Sequence, residues 1–186
     1  MTERPAEIPG YIAGTWDIDP VHSHIGFIAR HLMVSKVRGN FTKFEGEIVT
    51  AANPLESSAT VTVDTASIDT RSEARDDDVK GPNYLDVASY PTMTFQSAGV
   101  HRSGDDVIMT GELTIKGITR LVELGIEVNG FGPDGYGGTR AGFTATGELY
   151  RSDFGITANT LLPTGGVVVG DDIQLVLDVE ASLRAS

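Results

Sequence analysis

The chain has 186 residues, 40% of them hydrophobic and 22% charged, which fits one folded domain and excludes a disordered polyelectrolyte. Fourteen Lys and Arg against 26 Asp and Glu give a formal net charge of −12, so the average surface repels nucleic acid and anionic membranes; binding either needs a local basic patch, and the sequence has no basic run. No cysteine is present, which excludes disulfides and thiolate metal sites.

The first ten residues, Met1 to Gly10, lack the apolar core of a secretory signal. No stretch approaches the ~20 apolar residues of a spanning helix. The expectation is a soluble, cytoplasmic protein without stable membrane insertion. Residues 1–15 read as an N-terminal extension and 16–186 as one domain.

Period-two alternation then dominates, the signature of half-buried strands. Weaker instances cover 21–30, 38–49 and 58–64. Thr70 with Glu73 forms a capping-box pattern, which predicts a helix over Arg71 to Lys80, stopped by Gly81-Pro82. Another strand is expected at 92–100. In Val107 to Ile115, the residues Val107, Met109, Gly111, Leu113 and Ile115 share a face. In Ile118 to Val128, Val122, Leu124, Ile126 and Val128 do the same. A strand at 139–150 follows, and Ile173 to Leu183 carries Ile173, Leu175, Leu177, Val179, Ala181 and Leu183 on one side.

Turns are expected at Asn53-Pro54, Ser103-Gly104-Asp105, Lys116-Gly117, Asn129-Gly130 through Gly138, and Gly170-Asp171. Short helical turns are possible at 30–34 and 152–155. The reading is an all-β chain, an extended antiparallel β-barrel with one short helix packed on it; closure removes edges that so many one-sided strands would expose.

The inner faces carry small residues: Gly111, Ala141, Ala145, Gly147 and Ala181. They leave room for a ligand cavity, or large neighbours such as Phe143 and Leu113 fill the space. His22 and His24, two apart, could share a face and bind a metal with His31 or an aspartate as third ligand; structural histidines at a strand start explain them better. Asp76-Asp77-Asp78, Asp105-Asp106 and Asp171-Asp172 read as a solvated helix face and turns, without calcium-loop spacing. Ser23 between the histidines lacks a nucleophile elbow, and the glycine-rich run 130–138 lacks the Lys-Ser/Thr of a phosphate loop. No catalytic residue, metal site or cofactor is expected.

An ordered set of blocks completes the reading: Trp16-Asp17-Ile18-Asp19-Pro20-Val21-His22-Ser23-His24-Ile25-Gly26-Phe27, then His31 through Phe41, Ser67-Ile68-Asp69-Thr70, Arg75-Asp76, Tyr90 through Phe95, Gly111 through Arg120, Gly142-Phe143, Arg151 through Ile156, and Val169-Gly170-Asp171. From Trp16 to the C-terminus this set resembles the YceI-like family of lipocalin-like lipid-binding proteins. The resemblance implies an extended barrel around an apolar cavity and a long-chain amphiphile as partner, with no common catalytic activity. The family commonly has Asp-x-His-Leu after the helical Arg, whereas this chain has Asp76-Asp77-Asp78-Val79; Asp78 at the histidine position leaves binding to the walls. Many relatives carry a signal peptide; none is expected here.

The expected function is therefore binding, storage or transport of a polyisoprenoid, quinone or fatty amide in an elongated cavity with polar groups mainly at one mouth. Candidate lining residues are Phe27, Leu32, Met33, Phe41, Phe44, Tyr84, Met93, Phe95, Met109, Leu113 and Phe143. A homodimer is a possible assembly. The rival readings are an enzyme acting on a small apolar substrate in the same cavity and a ligand-free interaction protein.

Overall fold

The computed structural model describes residues 8–32, 34–159 and 169–185. Among them, eleven strands form one antiparallel sheet: β1 (Gly14–Ile18), β2 (His24–His31), β3 (Ser35–Phe41), β4 (Phe44–Thr50), β5 (Ser58–Asp64), β6 (Ile68–Asp69), β7 (Thr92–Ser103), β8 (Asp106–Ile115), β9 (Ile118–Pro133), β10 (Thr139–Tyr150) and β11 (Val169–Leu183). Their hydrogen-bonded order is β1-β4-β5-β7-β8-β9-β10-β11-β2-β3-β6, and β1 also pairs with β11. Eight strands, β1 to β4 and on to β11, thus close into a ring. β2, β3 and β6 continue three of its staves: β2 succeeds β1 along β11, β3 pairs with β2, and β6 with β3.

Each continued stave is broken. Residues 19–23 separate β1 from β2, and the gap is stitched to β11 at one residue. Asp19 N–H and the Ser23 hydroxyl donate to the Glu180 carbonyl, while Glu180 N–H donates back to Ser23 Oγ at 3.0 Å. The Ser23 side chain thus replaces a ladder bond, a structural task. Next to it, His22 Nδ1–H and an Arg140 guanidinium N–H both donate to Asp19 Oδ2 at 2.7 Å. The His22 bond, then that from Arg140, holds the Asp19 carboxyl well below the usual carboxylate range, against the opposing effect of burial.

Several turn assignments shift. The expected strand 38–49 is two strands broken at Thr42 and Lys43. β9 runs through Asn129-Gly130 to Pro133, because a bulge opposite Gly142 and Phe143 absorbs the extra residue instead of ending the strand; the turn lies beyond Pro133. Gly170-Asp171 sits inside β11, in the irregular stretch between Val169 and Ile173; Asp171 caps the 3-10 turn Arg151–Phe154 by accepting from Ser152 N–H and Oγ–H. Residues 30–32 are the end of β2 and the start of its turn, not helix. Lys116-Gly117 is a two-residue hairpin turn as expected; both residues have positive φ, and a Cβ on Gly117 would stand 2.9 Å from the Tyr90 ring.

The helix, α1, spans Glu73–Lys80, and its N-cap is Ser72, which accepts from Arg75 N–H. Thr70 is not the cap. Its N–H and hydroxyl both donate to Asp76 Oδ1, and it accepts Arg75 Nε–H on Oγ1 and an Arg75 Nη2–H on its carbonyl. A polar clamp therefore ties α1 to β6, while Val79 adds an apolar contact to the core.

At the opposite end, Trp16 and Ala181 are fully buried and Ala141 nearly so. The two alanines face each other across β10 and β11 and leave space for the indole. Phe131 meets Trp16, Tyr11 and Phe143 edge-on, with ring centres 5.3–6.0 Å apart. Trp16 Nε1–H donates to the buried Thr50 Oγ1 at 2.8 Å; that oxygen also accepts Gly14 N–H at 3.0 Å and its hydroxyl donates to the Ile12 carbonyl at 2.7 Å. This uses the full capacity of a hydroxyl.

Thr50→Val keeps the shape and strips the acceptor from a buried N–H. Urea unfolding should show a loss of about 1–3 kcal/mol, and Trp16→Phe added to it should cost less than in the wild type. Additive costs would show that the bond carries nothing. Asp19 gives a pH test. A depressed carboxyl contributes stability above its unfolded value of about 3.9 and loses it as pH falls toward the folded value. The stability gap between wild type and Asp19→Asn should therefore be full above about pH 5 and shrink below about pH 4; a gap that grows in acid would contradict the network.

Candidate ligand cavity

The barrel interior holds a cavity of about 540 Å³, within the range of small-molecule sites. The inner rows read from the sequence form its walls: Val107, Met109, Leu113 and Ile115 of β8, Val122, Leu124, Ile126 and Val128 of β9, and Ile173, Leu175, Leu177 and Val179 of β11. Along β7 the lining runs from Met93 to Arg102. Nine steps of about 3.3 Å make about 30 Å along the strand, or about 23 Å along the axis at the usual barrel tilt. The cavity is long and narrow.

Polar residues border it at both ends, not mainly at one. Arg30, His31, Thr70, Arg75, Asp78, Tyr84 and Arg151 lie toward α1; Tyr11, Thr50, Ser57, Ser58 and Arg102 lie toward the other end. Several are already engaged. Arg75 is spent on Thr70. Arg151, only 6% exposed, donates Nε–H to the Gly170 carbonyl, Nη1–H to those of Ile156 and Ala158, and Nη2–H to that of Val169. Its charge braces the chain around the 3-10 turn and the start of β11.

Eight of the eleven candidate lining residues border the cavity: Phe27, Phe41, Tyr84, Met93, Phe95, Met109, Leu113 and Phe143. Phe44 instead is buried in the surrounding cluster with Phe41, Val63 and Met93. Leu32 is 38% exposed on the turn after β2, outside the barrel wall, because β2 ends at His31. Met33 lies outside the described residues. The aliphatic rows of β9 and β11 also wall the cavity; their regular alternation is the sequence signal that marks them.

The small residues turn out to serve two ends. A Cβ on Gly111 would fall 2.3 Å from the Phe95 ring and 2.9 Å from the Gln96 carbonyl oxygen, and one on Gly147 would fall 2.8 Å from the Glu123 carbonyl oxygen. Large neighbours and backbone already occupy these positions. Ala141 and Ala181 seat Trp16. Ala145 and Ala29 border open space. The histidines do not converge: His22 is on Asp19, His24 flanks Gly26, and His31 borders the cavity. Among the described residues no group of three or more His, Asp or Glu side chains is placed to hold a metal.

The sequence model of the YceI-like domain matches residues 16–181. Protein YceI of Salmonella newport is 35% identical over 172 residues, covering 91% of this chain and 87% of that protein. The crystal structure of Burkholderia cenocepacia BcnA superposes with a TM-score of 0.76 at 25% identity, over 88% of this chain and 98% of that one. A polyisoprenoid binding domain from Saccharophagus degradans shares the fold, with a TM-score of 0.67 at 13% identity over 93% and 100% of the two chains.

The two kinds of small residue should respond differently to enlargement. Gly111→Leu must displace Phe95 and backbone, at about 1–3 kcal/mol. Ala145→Leu extends into free space and should leave thermal stability of the ligand-free protein unchanged or raised. Equal destabilisation by both would mean that the space beside Ala145 is not open.

Proposed function

This chain belongs to the YceI-like domain family, and from that we propose that it binds one long, flexible apolar molecule of the polyisoprenoid, quinone or fatty-amide class along the barrel axis, for storage or transport. The observation that carries the reading is the elongated cavity walled by aliphatic and aromatic side chains. The name of the Saccharophagus domain supports the ligand class. The engagement of Arg75 and Arg151 in internal bonds supports a binder, since neither guanidinium is free to stabilise charge at a reacting centre.

If a CH₂ group takes about the 30 Å³ of a liquid water, the cavity holds roughly 18 of them. At about 0.8 kcal/mol per buried CH₂ this amounts to about 14 kcal/mol gross, against association and ordering costs of about 4–15 kcal/mol. Useful affinity then requires nearly the whole length of the tunnel and little from a head group.

In a homologous series of alkyl or prenyl amphiphiles, affinity measured by calorimetry should rise by up to about fourfold per CH₂ and level off near 18 carbons. Ala145→Leu should shorten the plateau by about three carbons. His22→Ala and His24→Ala should bind as the wild type does. Affinity that is flat with chain length, or lost in the histidine variants, would overturn the reading.

A further inference from the structure

We propose that the β2–β3 hairpin docks on an anionic lipid bilayer and thereby sets the α1 end of the cavity against the membrane. That the docked barrel exchanges its apolar ligand there rests on the function proposed above; the docking itself rests on the hairpin.

In the β2–β3 pair, Arg30 stands opposite Lys36 and Ile28 opposite Arg38. Opposed residues share a face, as do residues two apart on a strand. Arg30, Lys36 and Arg38 therefore stand together on the outer face, Arg30 at the rim where it also borders the cavity mouth, and all three are exposed. Among the described residues none of them forms an ion pair; the pairs present engage Arg140, Arg184 and His22 instead. Like charges directly opposite each other weaken a hairpin; Asp172 of β11 lies beside Arg30 but forms no ion pair with it.

The turn beyond it presents Leu32 at 38% and Val34 at 85% exposure, and Leu32 is held at φ 54°, a region that favours glycine. Apolar side chains at a tip flanked by cations suit the boundary between lipid headgroups and acyl chains. The inner face of the same hairpin carries Phe27, Ala29, His31 and Val37, all bordering the cavity. A surface that touches the tip therefore lies beside the cavity rim.

The net charge of −12 does not forbid this contact. Charges are screened over about 8 Å at physiological ionic strength. β2 alone covers about 23 Å from His31 back to His24 at about 3.3 Å per residue. The acidic groups beyond its start, Asp17, Asp19, Glu47 and Glu180, are thus more than two screening lengths from the tip. α1 brings Glu73, Asp77 and Asp78, and the start of β11 brings Asp171 and Asp172, to the same end of the barrel, so the attraction belongs to the hairpin face rather than to the whole end. A second copy is a poor occupant: an isologous contact would set Arg30, Lys36 and Arg38 against their own counterparts.

The test is co-sedimentation of the full chain with vesicles of phosphatidylcholine alone or mixed with phosphatidylserine. Binding is expected to the mixed vesicles and to fall steeply with salt. Arg30→Gln, Lys36→Gln and Arg38→Gln should each weaken it about fivefold, and the triple variant about a hundredfold. Val34→Asp should weaken it as well, while Arg184→Gln at the opposite end should match the wild type. Equal binding to both vesicle types, an unaffected triple variant, or a dimer formed through the hairpin in vesicle-free solution would overturn the proposal. Alkyl-ligand affinity, measured without vesicles, separates the two readings. Sedimentation without ligand binding supports docking and defeats the cavity function; ligand binding without sedimentation defeats docking alone.

Discussion

The whole barrel depends on β1 being held between β4 and β11. Only three residue pairs join β1 to β11, and without them the sheet would be open. Two sets of contacts guard this seam. Outside, Arg184 donates to Asp17 and Glu47, but all three side chains are about half exposed, and exposed pairs of this kind contribute about 0–1 kcal/mol. Inside, Trp16 is wholly buried, bonded to Thr50 and edge-on to Phe131; truncation of such a residue costs about 3–5 kcal/mol. The indole, not the ion pairs, closes the barrel, and Ala141 and Ala181 are small because it needs the room.

Closure at one end leaves the middle of the barrel with walls but incomplete filling. The eight-stave circumference is near the size at which side chains just fill the interior. Here the large rings lie along the wall instead of across it: Phe95 covers Gly111, and Phe27 covers Gly39, where a Cβ would meet its ring at 2.4 Å. A ring laid flat over a glycine thickens the wall without crossing the axis. A tunnel follows from this arrangement rather than from small residues as such.

The sequence announced the unbroken staves plainly, since β8, β9 and β11 each keep one apolar row. The broken ones were harder to read for a definable reason. Trp16 and Ile18 point inward from β1, but so do Ile25, Phe27 and Ala29 of β2. Phe41 of β3 is followed inward by Ile48 of β4, and Val63 of β5 by Ile68 of β6. Even and odd positions exchange faces at every break, and a shift by one residue inverts the pattern. Alternation counted across 38–49 therefore loses its phase at Thr42 and Lys43. The bulge at Asn129 inverts it again, so that Val128 and Phe131 both face in, and there the glycine content of the segment suggested a loop. At the cavity, eight of the eleven bulky candidates border the open space, while size alone does not point to the aliphatic rows that share its wall.

The cationic face of the hairpin escaped sequence reading on different grounds. Arg30, Lys36 and Arg38 form no run, and a turn separates the first from the others; strand pairing alone assembles them. The same pairing explains why net charge is a poor guide to this molecule. Arg140 and Arg184, near the Trp16 end, are surrounded by Asp17, Asp19, Glu47, Asp134 and Glu180, so cations there are neutralised and the acidic excess faces outward. At the hairpin, among the described residues, the cations form no ion pair. Beyond a screening length the molecule presents these regions separately, and a negative surface approached at random repels the Trp16 end while accepting the hairpin. On the docking proposed above, the chain's strong average acidity disfavours the other approaches, and the hairpin face sets the cavity rim toward the surface.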